Sequence, residues 1–340
     1  MHEAELLFVT QKIAEDDDDL AFVILWINEF MRQGVGVQVI CLEKGITDVD
    51  FPVYSLGKEQ GKSKLVQLLN FLKFIFTLRY NRVFIHMNPI YVSLGGWYWL
   101  LRRTPIYLWY THYSFNVHVR MAGWLCRRMF AATNQSMPQY NGSNKKVVVG
   151  HGIDLTYWLS GDEFEKETRL PEHNLLAVHR LCKSKRLELA VLALKYLPEE
   201  YTLTVYGPNI EKDYVCEIEE LICRENLGDR VFLKGSVPMS SLKNIYPRFR
   251  QMINMAPETI DKTLLEGMIF GVYPVTTKNN AQAIGLPQSP AGDSPEEIAR
   301  FIMDGSWKDS DTLSLRRIVD HRHNLASLVR KMVENIVPGS

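Results

Sequence analysis

Short apolar runs alternate along this chain with longer segments whose apolar positions recur at helical spacing. The runs at 5–10, 35–42, 82–86, 105–111 and 145–149 are rich in β-branched and aromatic residues, which predicts strands. Between them, 20–32, 62–80 and 118–130 read as helices. The pattern then restarts, with strands at 174–179, 201–207, 230–235, 252–256 and 272–276 and helices near 185–196, 211–225 and 240–248. Within 185–196, Leu187, Ala190, Val191 and Leu194 fall at i, i+3, i+4 and i+7, one face of an amphipathic helix. Strand–helix alternation predicts parallel α/β sheets, and the restart predicts two Rossmann-like halves with a cleft between them. Ligands in such sheets gather beyond the carboxyl ends of the strands. The polar, acidic stretch 155–170 reads as the connector. The expected division is therefore 1–153, 154–313 and a terminal segment 314–340 carrying a helix near 314–336.

Composition agrees with a folded two-domain protein. The 340 residues suffice for two cores, and 46% hydrophobic with 23% charged residues is the balance of a globular chain. A formal net charge of zero argues against a dedicated nucleic-acid binder. The five cysteines are odd in number and include no Cys-x-x-Cys pair, so a disulfide framework and structural zinc are not expected and a reducing compartment is. The acidic start, Met1-His2-Glu3-Ala4-Glu5, runs into a strand rather than an apolar leader, and no apolar run approaches the ~18 residues of a membrane span. The expected location is cytoplasmic.

The distribution of charge changes that picture. From Lys58 to Arg128 there are eleven Lys and Arg against one acid, Glu59, interleaved with Phe71, Phe74, Phe76, Trp97, Tyr98, Trp99 and Trp124. Cations with interspersed aromatics suit a peripheral face on an anionic membrane, here its inner surface. The plainer reading is a buried helix with solvated basic ends, since 64–78 is apolar nearly all round.

Chemistry concentrates in the second half. Glu258 directly follows the apolar run Met252-Ile253-Asn254-Met255-Ala256, and Glu266 lies in a helix-like segment ending at Gly271. The two carboxylates would face one crevice roughly 10 Å apart, about the span of a sugar, a diphosphate and a ribose. Upstream, His179-Arg180-Leu181-Cys182-Lys183-Ser184-Lys185 follows a strand and places two cations on a strand-to-helix loop. An Arg fork and a mobile Lys can clamp a diphosphate, although the segment by itself also reads as a solvated basic loop.

Taken in order, Arg180 and Lys185, then Glu258 and Glu266 in a glutamate-x7-glutamate array, resemble the family 4 retaining glycosyltransferases of the GT-B fold. Val205-Tyr206-Gly207-Pro208, Asp229-Arg230-Val231-Phe232-Leu233-Lys234-Gly235 and Gly150-His151-Gly152-Ile153-Asp154 extend the likeness, which is good over roughly 145–280 and loose before it. The resemblance implies an α/β GT-B chain with two Rossmann-like domains facing each other across a cleft. The N-terminal domain would bind the acceptor, the C-terminal one the nucleotide-sugar donor, and the terminal helix would return to the first domain. It implies sugar transfer from a nucleoside-diphosphate sugar, UDP- or GDP-linked, to an acceptor hydroxyl with retention, by front-face attack, without metal and without a cofactor. Arg180 and Lys185 would neutralise the leaving diphosphate. The backbone N–H groups around Asp261, Lys262 and Thr263 would open a helix onto the same phosphates. Glu266 would accept from the ribose hydroxyls, Glu258 would hold the donor sugar, and Gly235-Ser236-Val237 would meet the base through backbone atoms, with Gly207 nearby. Family members carry glycine where this chain has Asp261, whose side chain is expected to turn away and cap the helix.

In the first half, His112 ends the run Leu108-Trp109-Tyr110-Thr111 where the family places a histidine against donor sugar and acceptor, while His86 reads as structural. The Asp16-Asp17-Asp18-Asp19 run is expected to cap the helix starting near Leu20 or to meet a polar acceptor rather than to bind metal. Neither a Gly-x-Ser-x-Gly elbow nor a Gly-x4-Gly-Lys-Ser/Thr phosphate loop is present. The expected acceptor is a lipid-linked or polysaccharide glycan. Two alternatives stand beside it: a sugar-nucleotide epimerase of GT-B fold, and a non-catalytic subunit that binds sugar nucleotide or glycan.

Overall fold

The computed structural model describes residues 5–17, 20–113, 115–160, 170–257 and 260–337. Glu258, Thr259, Asp18 and Asp19 lie outside the described residues. The strands are β1 (Leu6–Ile13), β2 (Val37–Lys44), β3 (Val53–Ser55), β4 (Arg82–His86), β5 (Ile106–Trp109), β6 (Arg128–Ala131), β7 (Lys146–Val148), β8 (Asn174–Val178), β9 (Thr202–Tyr206), β10 (Val231–Leu233), β11 (Gln251–Asn254) and β12 (Tyr273–Thr276). The helices are α1 (Phe22–Arg32), α2 (Lys64–Thr77), α3 (Ile90–Leu101), α4 (Val117–Leu125), α5 (Leu155–Leu159), α6 (Leu187–Ala193), α7 (Lys212–Arg224), α8 (Met239–Ile245), α9 (Lys262–Ile269), α10 (Lys278–Ile284), α11 (Pro295–Asp304), α12 (Thr312–His323) and α13 (Leu325–Ile336).

The chain forms two compact units, Met1–Gly152 with Leu325–Ser340, and Ile153–Asn324. The first holds a parallel sheet in the order β3-β2-β1-β4-β5-β6-β7. Its inner strands β1, β2, β4, β5 and β6 are largely buried on both faces, which is why they read as continuous apolar runs. Leu6, Phe8, Phe84 and Tyr107 face one layer with α1 and α13, whereas Leu7, Val9, Val83 and Leu108 face the other with α2, α3 and α4. The second unit holds a parallel sheet in the order β10-β9-β8-β11-β12 around its own core. Both sheets reverse their direction of growth once, at β1/β4 and at β8/β11, the points where open α/β sheets leave a crevice.

Several expected elements differ. The helix expected over 118–130 is α4 followed by β6. Cys126 turns to extended backbone (φ −73°, ψ 139°), and Arg128–Ala131 then pairs with β5. The stretch expected as a connector begins with α5, whose Trp158 is buried with its ring 5.8 Å from Tyr246 and 6.2 Å from Phe270. The single terminal helix is two helices broken at Asn324, which is extended (φ −62°, ψ 133°). Of these, α12 stays with the second unit, where Arg316 donates to the Ile269 carbonyl at 3.1 and 3.0 Å. Only α13 joins the first unit, against α1. Strands β3 and β6 and helix α3 have no counterpart in the expected series.

Candidate functional site

The crevice of the second sheet is built from the segments that leave β8 and β11. Beyond β8, the Leu181 N–H donates to the Pro208 carbonyl and the Gly207 N–H to the Gly235 carbonyl, each at 2.9 Å, so the exits of β8, β9 and β10 are tied together. A side chain cannot be placed at Gly207: φ is 150° and a Cβ would lie 1.9 Å from the His179 carbonyl oxygen. The chain continues through half-buried Arg180 into a 3₁₀ turn over Lys183–Lys185, and Arg186 (φ 51°) then takes the N-cap position of α6. The expected helix from residue 185 therefore begins two residues later. The turn folds Lys185 inward until it is 4% exposed, with its Nζ 2.5 Å from Asp261 Oδ1. The other Asp261 oxygen accepts from Asn254 Nδ2 at 2.5 Å. Asn254 ends β11 and is fully buried, so Lys185, Asp261 and Asn254 join the two sides of the switch point through charge-assisted bonds.

Burial acts to raise the Asp261 pKa, but the charge and hydrogen bond of Lys185, with His179 and Asn254 behind them, hold it below the usual carboxylate range. Burial pushes His179 down, against the charge of Asp261 and the bond its Nδ1 donates to the Arg180 carbonyl (3.1 Å). Asp261 does occupy the N-cap position of α9, with φ −75° and ψ 137°, but its side chain accepts no bond from the first turn. The expected cap is thus corrected: a buried ammonium outcompetes the helix N–H groups for the carboxylate.

In α9, the Thr263 hydroxyl donates to the Val178 carbonyl at 2.7 Å and pins the helix start to the end of β8. Lys262 is half-buried beside it. Glu266, 5% exposed, accepts from the Tyr246 hydroxyl at 3.1 Å. Burial pushes its pKa up to about 7, opposed by the nearby Lys262 charge and the Tyr246 bond and reinforced by Asp261.

The segment leading to Glu258 is held at three points. Arg186 Nε donates to the Met255 carbonyl (2.7 Å), the Ala256 N–H to Asn254 Oδ1 (3.1 Å), and Asn280 Nδ2 to the Ala256 carbonyl (2.7 Å). Gly235 (φ 73°) and Ser236 are exposed, and Val237 packs against the core edge. Arg180, Lys185, Gly207, Gly235, Ser236, Val237, Asp261, Lys262, Thr263 and Glu266 therefore all belong to the second unit, at or beside its strand exits. His112 belongs to the first, exposed after β5, its ring 5.4 Å from that of Tyr110. His86 is buried among Phe8, Phe22 and Trp26 and shares a 3.3 Å hydrogen bond with Thr10, a packed residue. Asp17 pairs with Lys12 at 2.8 Å and accepts from the Leu20 N–H at 2.7 Å, one turn before α1. Among the described residues no group of three His, Cys, Asp or Glu could hold a metal ion. Asn254 and Tyr246 were not expected in the site. A lone amide ending an apolar strand was the available signal for the first, and nothing local marks the second.

No family model and no curated protein sequence matches the chain. Solved structures do. Anabaena HepE in complex with UDP and glucose has a TM-score of 0.78 at 15% identity, covering 98% of this chain and 100% of that one. Its fold is that of the GT-B glycosyltransferases. The GT-B likeness extends to sucrose-phosphate synthase from Thermosynechococcus elongatus (TM-score 0.76, 15% identity, 97% and 98% covered). It extends also to WaaG, a glycosyltransferase involved in lipopolysaccharide biosynthesis (TM-score 0.66, 14% identity, 98% and 100% covered).

Proposed function

We propose that this GT-B chain is a retaining, family 4-like glycosyltransferase that moves a sugar from a UDP- or GDP-sugar to an acceptor hydroxyl on a lipid-linked or polysaccharide glycan. The observation that carries the reading is the pairing, at one switch point, of a buried cation on the turn beyond β8 with a buried carboxylate on α9. Lys185 meets Asp261, and Glu266 stands five residues on, about 7 Å along the helix axis. A diphosphate needs the first charge and a ribose diol the second. Arg180, Lys185 and the opening N–H groups of α9 at Lys262 and Thr263 supply positive charge where the leaving group becomes anionic, so this chemistry needs no metal. Glu266 accepts from the ribose, the backbone at Gly235-Ser236-Val237 beside Gly207 takes the base, and Glu258 holds the donor sugar. HepE, crystallised with UDP and UDP-glucose, is similar in fold and supports a nucleotide-sugar donor.

A second reading, a subunit that binds sugar nucleotide without turnover, is favoured by the Lys185–Asp261 pair, which already neutralises the lysine. Binding and hydrolysis across uridine, guanosine and adenosine diphosphate sugars separates the two, since a donor bound tightly and never consumed would leave only the second. Glu258→Ala is expected to keep nucleotide affinity and lose transfer on the order of 100-fold or more. Unchanged transfer in that variant would remove Glu258 from its role.

A further inference from the structure

Between Glu59 and Asp154 the chain has no acidic residue and twelve Lys and Arg, although its formal net charge is zero. That span contains α2, α3 and α4, which together cover one face of the first unit's sheet. The helices over the other face do carry acids: Glu29 on α1, buried and paired with Arg32, and Glu334 on α13, exposed. The acid-free face is also the apolar one. On α2, Phe71 and Ile75 are buried while Leu65 (66% exposed), Leu69 and Phe76 line the outer side, so the plainer reading of a buried helix with solvated basic ends does not hold. On α3, Trp97 is 50% and Leu101 77% exposed, and the Trp97 ring lies 6.0 Å from that of Phe76, which joins the two outer surfaces. On α4, Trp124 is 74% exposed beneath the guanidinium of Arg120, 5.8 Å from its ring. Gly96 lets α3 and α4 approach closely, since a Cβ there would lie 2.7 Å from Leu125. Lys73, Arg102, Arg103 and Arg127 are exposed around these residues.

Large apolar side chains left in water at this density mark a docking surface. A second copy of the same face would set like charge against like, which is costly. We propose that the outer face of α2, α3 and α4 docks on an anionic bilayer surface, with the aromatic and leucine side chains entering the interface and the Lys and Arg meeting lipid phosphates. Contact is peripheral, since among the described residues no helix is long and apolar enough to cross a membrane. The inference does not depend on the transferase reading.

The test is co-sedimentation of the full chain with phosphatidylcholine vesicles, with and without phosphatidylglycerol. Binding is expected to the anionic vesicles alone, weakening as salt rises. Arg102→Glu with Arg103→Glu is expected to reduce partitioning by at least about 30-fold. Trp97→Ser with Trp124→Ser is expected to reduce it by about tenfold or more. Lys331→Glu, an exposed change on α13 behind the opposite sheet face, should leave it unaltered. No binding at low salt would overturn the proposal. So would an equal loss from Lys331→Glu, or a vesicle-free dimer dispersed by the tryptophan changes. Should a variant melt early, quenching of the unaltered protein's tryptophan emission by brominated anionic lipid decides: quenching supports the proposal and none overturns it.

Discussion

Lys185 and Asp261 pose a free-energy problem that neither residue poses alone. An ammonium only 4% exposed is unfavourable unless a nearby anion compensates it, and Asp261 does so at 2.5 Å. An arriving diphosphate must compete with that carboxylate for the same charge. Asp261→Asn is therefore expected to lower the melting temperature of the nucleotide-free protein, because Lys185 loses its counter-ion. It should also tighten UDP or GDP binding, seen by calorimetry as a lower Kd and by a larger nucleotide-induced rise in melting temperature. A weaker Kd would mean that Asp261 assists the phosphates rather than excluding them. Glu266 makes a second residue-scale prediction. Its folded-state pKa, about 7, stands above the ordinary 4.5, so the folded protein holds this proton more tightly than the unfolded chain. The associated stability, of order 3 kcal/mol, is fully present below about 4.5 and is lost as pH rises through about 7. Glu266→Gln should remove that dependence, as measured by urea denaturation on either side of neutrality. Ribose hydroxyls favour the ionised form, so nucleotide affinity should rise through the same pH range in the wild type and stay flat in the variant.

At the scale of elements, the site depends on how strand exits are tied to the turns beyond them. Gly207 is the tightest of these points, with the His179 carbonyl 1.9 Å from where a Cβ would stand. Gly207→Ala must push the exits of β8 and β9 apart. The expected cost is at least about 2 kcal/mol of unfolding free energy, read from urea denaturation, together with weaker nucleotide binding, because Arg180 and Lys185 ride on the displaced segment. An unchanged Kd would show that the basic turn is positioned independently of β9. The same elements show what sequence alone conveyed. The placement of Arg180 and Lys185 just beyond β8, and of Glu266 on a helix after β11, was legible because recognisable apolar runs precede them. The Asp261 contact was not, since the N-cap position and its extended backbone are local features, whereas the partner that captures the side chain is 76 residues away. Helix α3 was missed for a related reason. Its sequence, IYVSLGGWYWLL, combines aromatics, β-branched residues and two glycines, all weak helix formers, and it is helical because Tyr91, Val92 and Trp99 pack onto the sheet. Strand β6 has four residues buried nearly throughout, too short to show any period.

At the scale of the whole molecule, the two-sheet architecture was readable from the restart of the strand–helix alternation, because parallel strands buried on both faces leave continuous apolar runs. Which unit owns the last helices was not readable, because amphipathic patterns show that a face is buried but not against what. The division has a mechanical consequence. The second unit is one continuous segment, Ile153–Asn324, with its own core, whereas the first must retrieve α13 from beyond it. Leu325, Leu328, Val329, Met332, Val333 and Ile336 all enter the layer beneath α1, and each such side chain contributes about 1.5–3 kcal/mol by leaving water. A fragment spanning 153–324 is therefore expected to unfold cooperatively by itself and, on the proposed function, to retain nucleotide binding. A fragment spanning 1–152 should instead expose the α1 side of its sheet, bind a hydrophobic dye and lack a sharp thermal transition. Adding a peptide of residues 325–340 in trans should restore the transition, and a peptide with Leu328 and Met332 both changed to Asp should not. If 1–152 alone melted as sharply, and at the same temperature, as it does with the peptide, α13 would be a passenger on this unit rather than part of its core.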